Sequence, residues 1–103
     1  MNKDERKAVK KALRSQERAS ARAAFPLAVD ELRGLFDALD QRLSEQGCDD
    51  TRRVARAWLE SRGLDVERTF QWLDEHGGYC DCEILANVVE HVDDALAPVI
   101  QKQ

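Results

Sequence analysis

The chain has 103 residues, of which 43% are hydrophobic and 35% charged, with a net charge of −4. That balance describes one small globular domain, able to bury roughly 60–70% of its unfolded surface, and it argues against disorder. No apolar run approaches the roughly 18 residues of a membrane span, and MNKDERKAVKKALR lacks the apolar stretch of a signal peptide, so a cytoplasmic protein with no membrane partner is expected.

Residues 3–24 are rich in Ala, Lys and Arg, all strong helix formers. Lys3, Lys7, Lys10, Arg14, Arg18 and Arg22 recur every three or four residues, whereas the apolar stripe of Val9, Ala12, Leu13, Ala19 and Ala23 is thin. The spacing predicts a basic N-terminal helix, loosely packed, ahead of a single helical domain over 25–103. Charge follows the same division. Residues 1–22 hold eight basic and three acidic residues, a net of +5, and the remainder carries −9. A solvated basic helix is the plain reading, and nucleic-acid phosphate bound through residues 3–22 is the sharper one.

Phe25-Pro26 interrupts the helix, because proline disfavours helical geometry in the residue before it. A second helix over 29–46 carries Val29, Leu32, Leu35, Phe36, Leu39 and Leu43 on one face and ends at Gly47. A third is expected over 51–62, capped by Asp49 or Asp50, burying Val54, Ala55, Trp58 and Leu59 and stopping at Gly63. Asp65 can cap a fourth over 65–76, which shows Val66, Phe70 and Leu73 inward and ends at Gly77-Gly78. Trp72 falls beside that stripe, where it can be partly exposed and anchor a partner, although packing on a neighbouring helix is the favoured reading. The fifth, over 82–96, aligns Ile84, Leu85, Val88, Val89, Val92 and Leu96, with Pro98 closing it. No stretch alternates like a strand. The fold class is all-α, a compact bundle of four helices preceded by the basic one, joined by connections of about three to six residues.

Chemistry concentrates at two helix starts. One reads Gly47-Cys48-Asp49-Asp50-Thr51 and the other Gly78-Tyr79-Cys80-Asp81-Cys82-Glu83, both with Cys-Asp after glycine. If these starts converge, Cys48, Asp50, Cys80 and Cys82 form two i, i+2 pairs able to hold a structural zinc ion. Zinc takes four ligands, usually Cys or His and less favourably Asp, and helix N-termini favour the thiolate it binds. Asp49 and Asp81 would act as caps, and His76 is an alternative fourth ligand. Buried, inert thiols beside capped helices are the plain alternative, and thiol redox chemistry is a third. C-x-C is not the C-x-x-C of thiol oxidoreductases, and no Gly-rich phosphate loop is present. Cys80 or Cys82 with His76 would make a thiol–imidazole pair without a third group to orient it. A non-catalytic interaction module with a protein partner is therefore the favoured class over an enzyme.

The motifs Leu35-Phe36-Asp37 with Leu39-Asp40, Cys48-Asp49-x-Thr51, and Gly77-Gly78-Tyr79-Cys80-Asp81-Cys82-Glu83 followed by Leu85-Ala86-Asn87-Val88 resemble a family of small bacterial proteins known only as a domain of unknown function. The resemblance covers about residues 27–90 and implies no activity. It implies a Cys, His, Cys, Cys ligand set, in which histidine stands where this chain has Asp50. A looser likeness spans about residues 43–76. Ala57-Trp58-Leu59, Gly63 to Arg68 and Trp72-Leu73 resemble the second and third helices of ubiquitin-associated domains, which implies a way for helices two to four to pack.

Overall fold

The computed structural model describes residues 2–97, which form helices and connecting turns with no strand among them. The helices are α1 (Lys3–Ala23), α2 (Val29–Gln46), α3 (Arg53–Ser61), α4 (Val66–Glu75), α5 (Asp81–Glu83), a π-helical segment (Ile84–Val88) and α6 (Val89–Leu96). The last three run on as one rod over residues 81–96. Pro98 lies outside the described residues, and no described helix is long and apolar enough to cross a membrane.

Each helix is bounded by chemistry its sequence supplies. Asn2 and Glu5 form a reciprocal capping box at the start of α1, the Glu5 amide donating to Asn2 Oδ1 at 2.9 Å. At α2 the Ala28 amide donates to Glu31 Oε1 at 3.0 Å. Asp65 accepts from the Arg68 amide at 3.0 Å and caps α4. Both α3 and α4 end in Schellman motifs with glycine at the left-handed position. Gly63 has φ +66 and Gly77 φ +78, and the following amides of Leu64 and Gly78 return to Leu59 O and Leu73 O at 3.0 and 2.8 Å.

The core takes Leu32, Leu35, Phe36 and Leu39 from α2, Ala55 from α3, Trp72 and Leu73 from α4, and Ile84, Val88, Val92 and Ala95 from the last rod, with Phe25 closing one end. Gly78 is buried where the chain turns from α4 into that rod. A Cβ there would sit 2.9 Å from Val88 Cγ2 and 3.0 Å from Ile84 Cγ1, so only glycine lets α4 approach the π-helical segment this closely. Asn87 holds the same turn by donating its Nδ2 to Gly77 O at 2.9 Å.

Of the two readings of Trp72, packing rather than exposure holds. It is 4% accessible, with Phe25 edge-on at 5.9 Å and the His76 and His91 rings at 5.2 and 6.0 Å. Two sequence expectations need correction. Phe70, expected inside, is only half-buried, with the Arg52 and Arg56 guanidinium groups 4.1 and 4.8 Å from its ring centroid. Helix α3 begins at Arg53 rather than Thr51, and neither Asp49 nor Asp50 is its N-cap.

Helix α1 buries no residue. Its last turn still touches the rod: Arg22 Nη1 donates to Ala95 O at 2.8 Å, and Ala21 lies against the core. Residues 2–14 are exposed. Removing them is expected to cost less than about 1 kcal/mol, as for surface changes generally. Phe25→Ala is expected to cost about 3 kcal/mol, through the cavity left beside Trp72. Denaturant unfolding of the two variants checks the contrast.

Candidate metal centre

Two short turns build the site. Residues 47–52 lead into α3, and residues 77–80 lead into the last rod. Asp49 closes the first turn locally, its Oδ1 accepting from the Thr51 amide at 3.0 Å and the Thr51 hydroxyl at 2.6 Å. Asp50, two residues after Cys48, has φ +67, a left-handed conformation that Asp tolerates better than most residues.

The two turns are joined by Asp81. Its side chain is almost fully buried, and it accepts from the Val54 amide at 3.0 Å and the Ala55 amide at 3.2 Å. The Asp81 amide in turn donates to Thr51 O at 2.9 Å. Asp81 thus caps α3 from another part of the chain. Burial pushes its carboxyl above the usual Asp range, and the two amide bonds pull against that shift.

This exchange brings Cys48, Cys80 and Cys82 together, with their Sγ atoms all within 4.8 Å of one another. Cys80 Sγ and Cys82 Sγ are 3.2 Å apart. A zinc ion about 2.3 Å from each sulfur would want them roughly 3.8 Å apart at the corners of a tetrahedron, a spacing that rotation of the exposed Cys82 side chain can reach. The three sulfurs sit in unlike surroundings. The Cys82 backbone N–H, and then that of Asp50 at 3.4 Å, hold the Cys48 thiol below its ordinary value. Burial pushes Cys80 up to about 12, with the Glu83 amide acting in the opposite direction.

Asp50 is exposed, and among the described residues the sulfur group gathers no carboxylate or imidazole at the same spacing. His76 lies at the C-terminal end of α4, stacked on His91 with ring centroids 3.8 Å apart. Burial lowers its pKa first, and the neighbouring His91 lowers it further, against Glu75, which raises it. The role of Asp81 as the cap of α3 was not legible in the sequence. The sequence offered Asp49 and Asp50 nearby instead, but the N-cap is Arg52, whose side chain makes no capping bond, and only the Thr51 hydroxyl takes the Arg53 amide locally, at 3.2 Å.

Residues 35–87, which include all three cysteines, match the family described as protein of unknown function (DUF2695). The chain is 40% identical over 87 residues to the uncharacterised proteins Rv2271 of Mycobacterium tuberculosis and Mb2294 of Mycobacterium bovis, covering 84% of this chain and 88% of each relative. The chain belongs to that family. No solved structure matches it.

Two outcomes follow from this geometry. Asp81→Ala leaves two amides at the start of α3 without acceptors and is expected to cost about 3 kcal/mol. Asp49→Ala, which opens only an exposed turn, is expected to cost less than about 1 kcal/mol; chemical denaturation compares the two. The lowered His76 contributes stability that is fully present above its unfolded value of about 6.5 and is lost as pH falls through its folded value. The melting temperature of the parent is therefore expected to fall between about pH 7 and pH 5 relative to that of His76→Gln, measured across the same buffers.

Proposed function

We propose that this member of the family is a small helical interaction module, a four-helix bundle with α1 as a basic appendage, whose α3–α5 junction is fastened by a structural zinc ion. The observation that carries the metal is the sulfur group: three thiols from two separate turns, gathered within 4.8 Å. Its donor set is soft, which suits zinc better than magnesium or calcium. Backbone N–H groups directed at Cys48 stabilise a thiolate there, as the outer shells of thiolate centres do. Bound zinc would supply charge that keeps all three sulfurs deprotonated, and it would cross-link the two helix starts. Three free cysteines fit a reducing compartment such as the cytoplasm.

Asp50 is the proposed fourth ligand. It lies two residues after Cys48 in the same turn, is exposed, and its backbone amide already donates to Cys48 Sγ at 3.4 Å. As an oxygen donor in a thiolate set it makes a weaker zinc partner than imidazole.

The test is competitive zinc titration of the fully reduced chain against a chromophoric chelator. One zinc per chain is expected, with a melting temperature raised by about 10 °C at free zinc a hundredfold above Kd. Asp50→His should tighten binding, and histidine is tolerated at the same positive φ. Cys82→Ser should abolish the thermal shift. Equal zinc binding by Cys82→Ser and the parent would refute the site. A Cys80–Cys82 disulfide in the freshly isolated protein, read by mass, would favour the redox alternative instead.

A further inference from the structure

Arg52, just before α3, and Arg53 and Arg56 in its first two turns line one open cleft of about 650 Å³, whose other walls include Thr51, Glu60, Phe70 and Tyr79, so the arginines outnumber the single lining carboxylate. Arg52 is held in place. It donates to Asp74 Oδ1 at 2.7 Å and to the carbonyls of Phe70 and Gly78 at 3.3 and 3.4 Å, with its guanidinium over the Phe70 ring. Arg53 is paired to Asp49 at 3.2 Å on the exposed side. Arg56 lies on the same aromatic ring, and among the described residues it has no carboxylate partner. Tyr79 is 59% exposed, the most accessible of the large hydrophobic side chains described.

Arg and Tyr are the residues most enriched where partners bind, and here they surround a half-buried Phe. We propose that this cleft is the docking surface of the interaction module, and that its occupant is an acidic peptide segment of a partner protein. The inference rests on the module reading above, not on the metal. Three reasons favour that occupant. Guanidinium forks match carboxylates bidentately, and Arg56 lies 4.8 Å from the Phe70 ring centroid without a carboxylate partner among the described residues. The cleft opens broadly to solvent, unlike the enclosed pockets that hold small ligands. The chain outside residues 1–22 carries −9, so a short acidic segment held at one local positive spot meets less repulsion than a long polyphosphate backbone laid across the surface.

The test is a titration of the full chain with hexaglutamate, followed residue by residue by NMR, including the arginine side-chain resonances. Saturable shifts are expected at Thr51–Ala57, Phe70 and Tyr79. Arg56→Gln should weaken binding by about tenfold, as loss of a charge-assisted bidentate pair does, while the melting temperature is retained. Lys7→Gln with Lys10→Gln should leave the affinity within twofold. Saturable shifts confined to residues 3–22, or binding insensitive to Arg56→Gln, would overturn the cleft while leaving a module. Tighter binding of an oligothymidylate at this face would assign it to nucleic acid. Formation of a dimer that hexaglutamate competes away would assign it to a second copy. Either result overturns the proposal. The absence of a saturable shift anywhere would overturn the module reading together with it.

Discussion

Helix α3 has nine residues and no side chain of its own capping its start. A helix this short is unstable alone in water, and its first amides need acceptors from somewhere. The Arg53 amide reaches the Thr51 hydroxyl at 3.2 Å, and the next two find the carboxylate of Asp81, 27 and 26 residues further along the chain. Burying a carboxylate is unfavourable unless it is well hydrogen-bonded. Two amides and the positive end of the α3 dipole meet that demand, and the return bond from the Asp81 amide to Thr51 O fixes the orientation of the two turns. The thiol geometry depends on this bond. Cys80 and Cys82 flank Asp81, and Cys48 lies three residues before Thr51, so seating the carboxylate at the start of α3 carries all three sulfurs to the same place.

Much of the fold was legible because it is set by local rules. Of the stripe marking the inner face of α2, Leu32, Leu35, Phe36 and Leu39 are buried, whereas Leu43 is half-buried and Val29, in the first turn, is exposed. Gly63 and Gly77 mark helix ends because a left-handed residue is needed there. What escaped the sequence depends on contacts between distant segments. Trp72 falls beside its helix stripe, and only the presence of Phe25 and His91 across the core explains its burial. Phe70 sits on the stripe yet stays half-exposed, because the arginines of α3 lie over it in place of a helix. The Cys-Asp echo pointed at two helix starts and proved informative about place. It misassigned the aspartates: Asp49 serves its own turn, while Asp81 serves the helix opposite.

The three thiols illustrate how one junction can impose opposite chemistry on neighbouring atoms. Cys48 lies in the path of backbone N–H groups and is pulled toward thiolate. Cys80 is buried, and desolvation holds it as a thiol. The two thiols are therefore shifted in opposite directions. A cation placed among the sulfurs would remove the division, because its charge outweighs the desolvation of Cys80 while adding to the amides around Cys48. The same reasoning explains why proximity alone does not make these cysteines reactive. The sulfur drawn toward thiolate by backbone amides, Cys48, and the exposed sulfur, Cys82, are different residues.

The arginine cleft and the sulfur group share their backbone. Arg52 reaches the Gly78 carbonyl, Tyr79 stands between Gly78 and Cys80 in the chain, and Thr51 both lines the cleft and accepts the Asp81 amide. Residues 77–80 cannot shift to suit a ligand on one side without moving a wall of the other. The two proposed sites, built on one loop, would be coupled by whatever ordering that loop requires. Linkage then makes the coupling reciprocal: the factor by which a metal changes the affinity for an acidic segment is the factor by which that segment changes the affinity for the metal. Arg52 donates to the Gly78 carbonyl at 3.4 Å as well as to Asp74 at 2.7 Å, so a metal that held residues 77–80 in the position seen would also favour the proposed cleft, and the coupling would be positive.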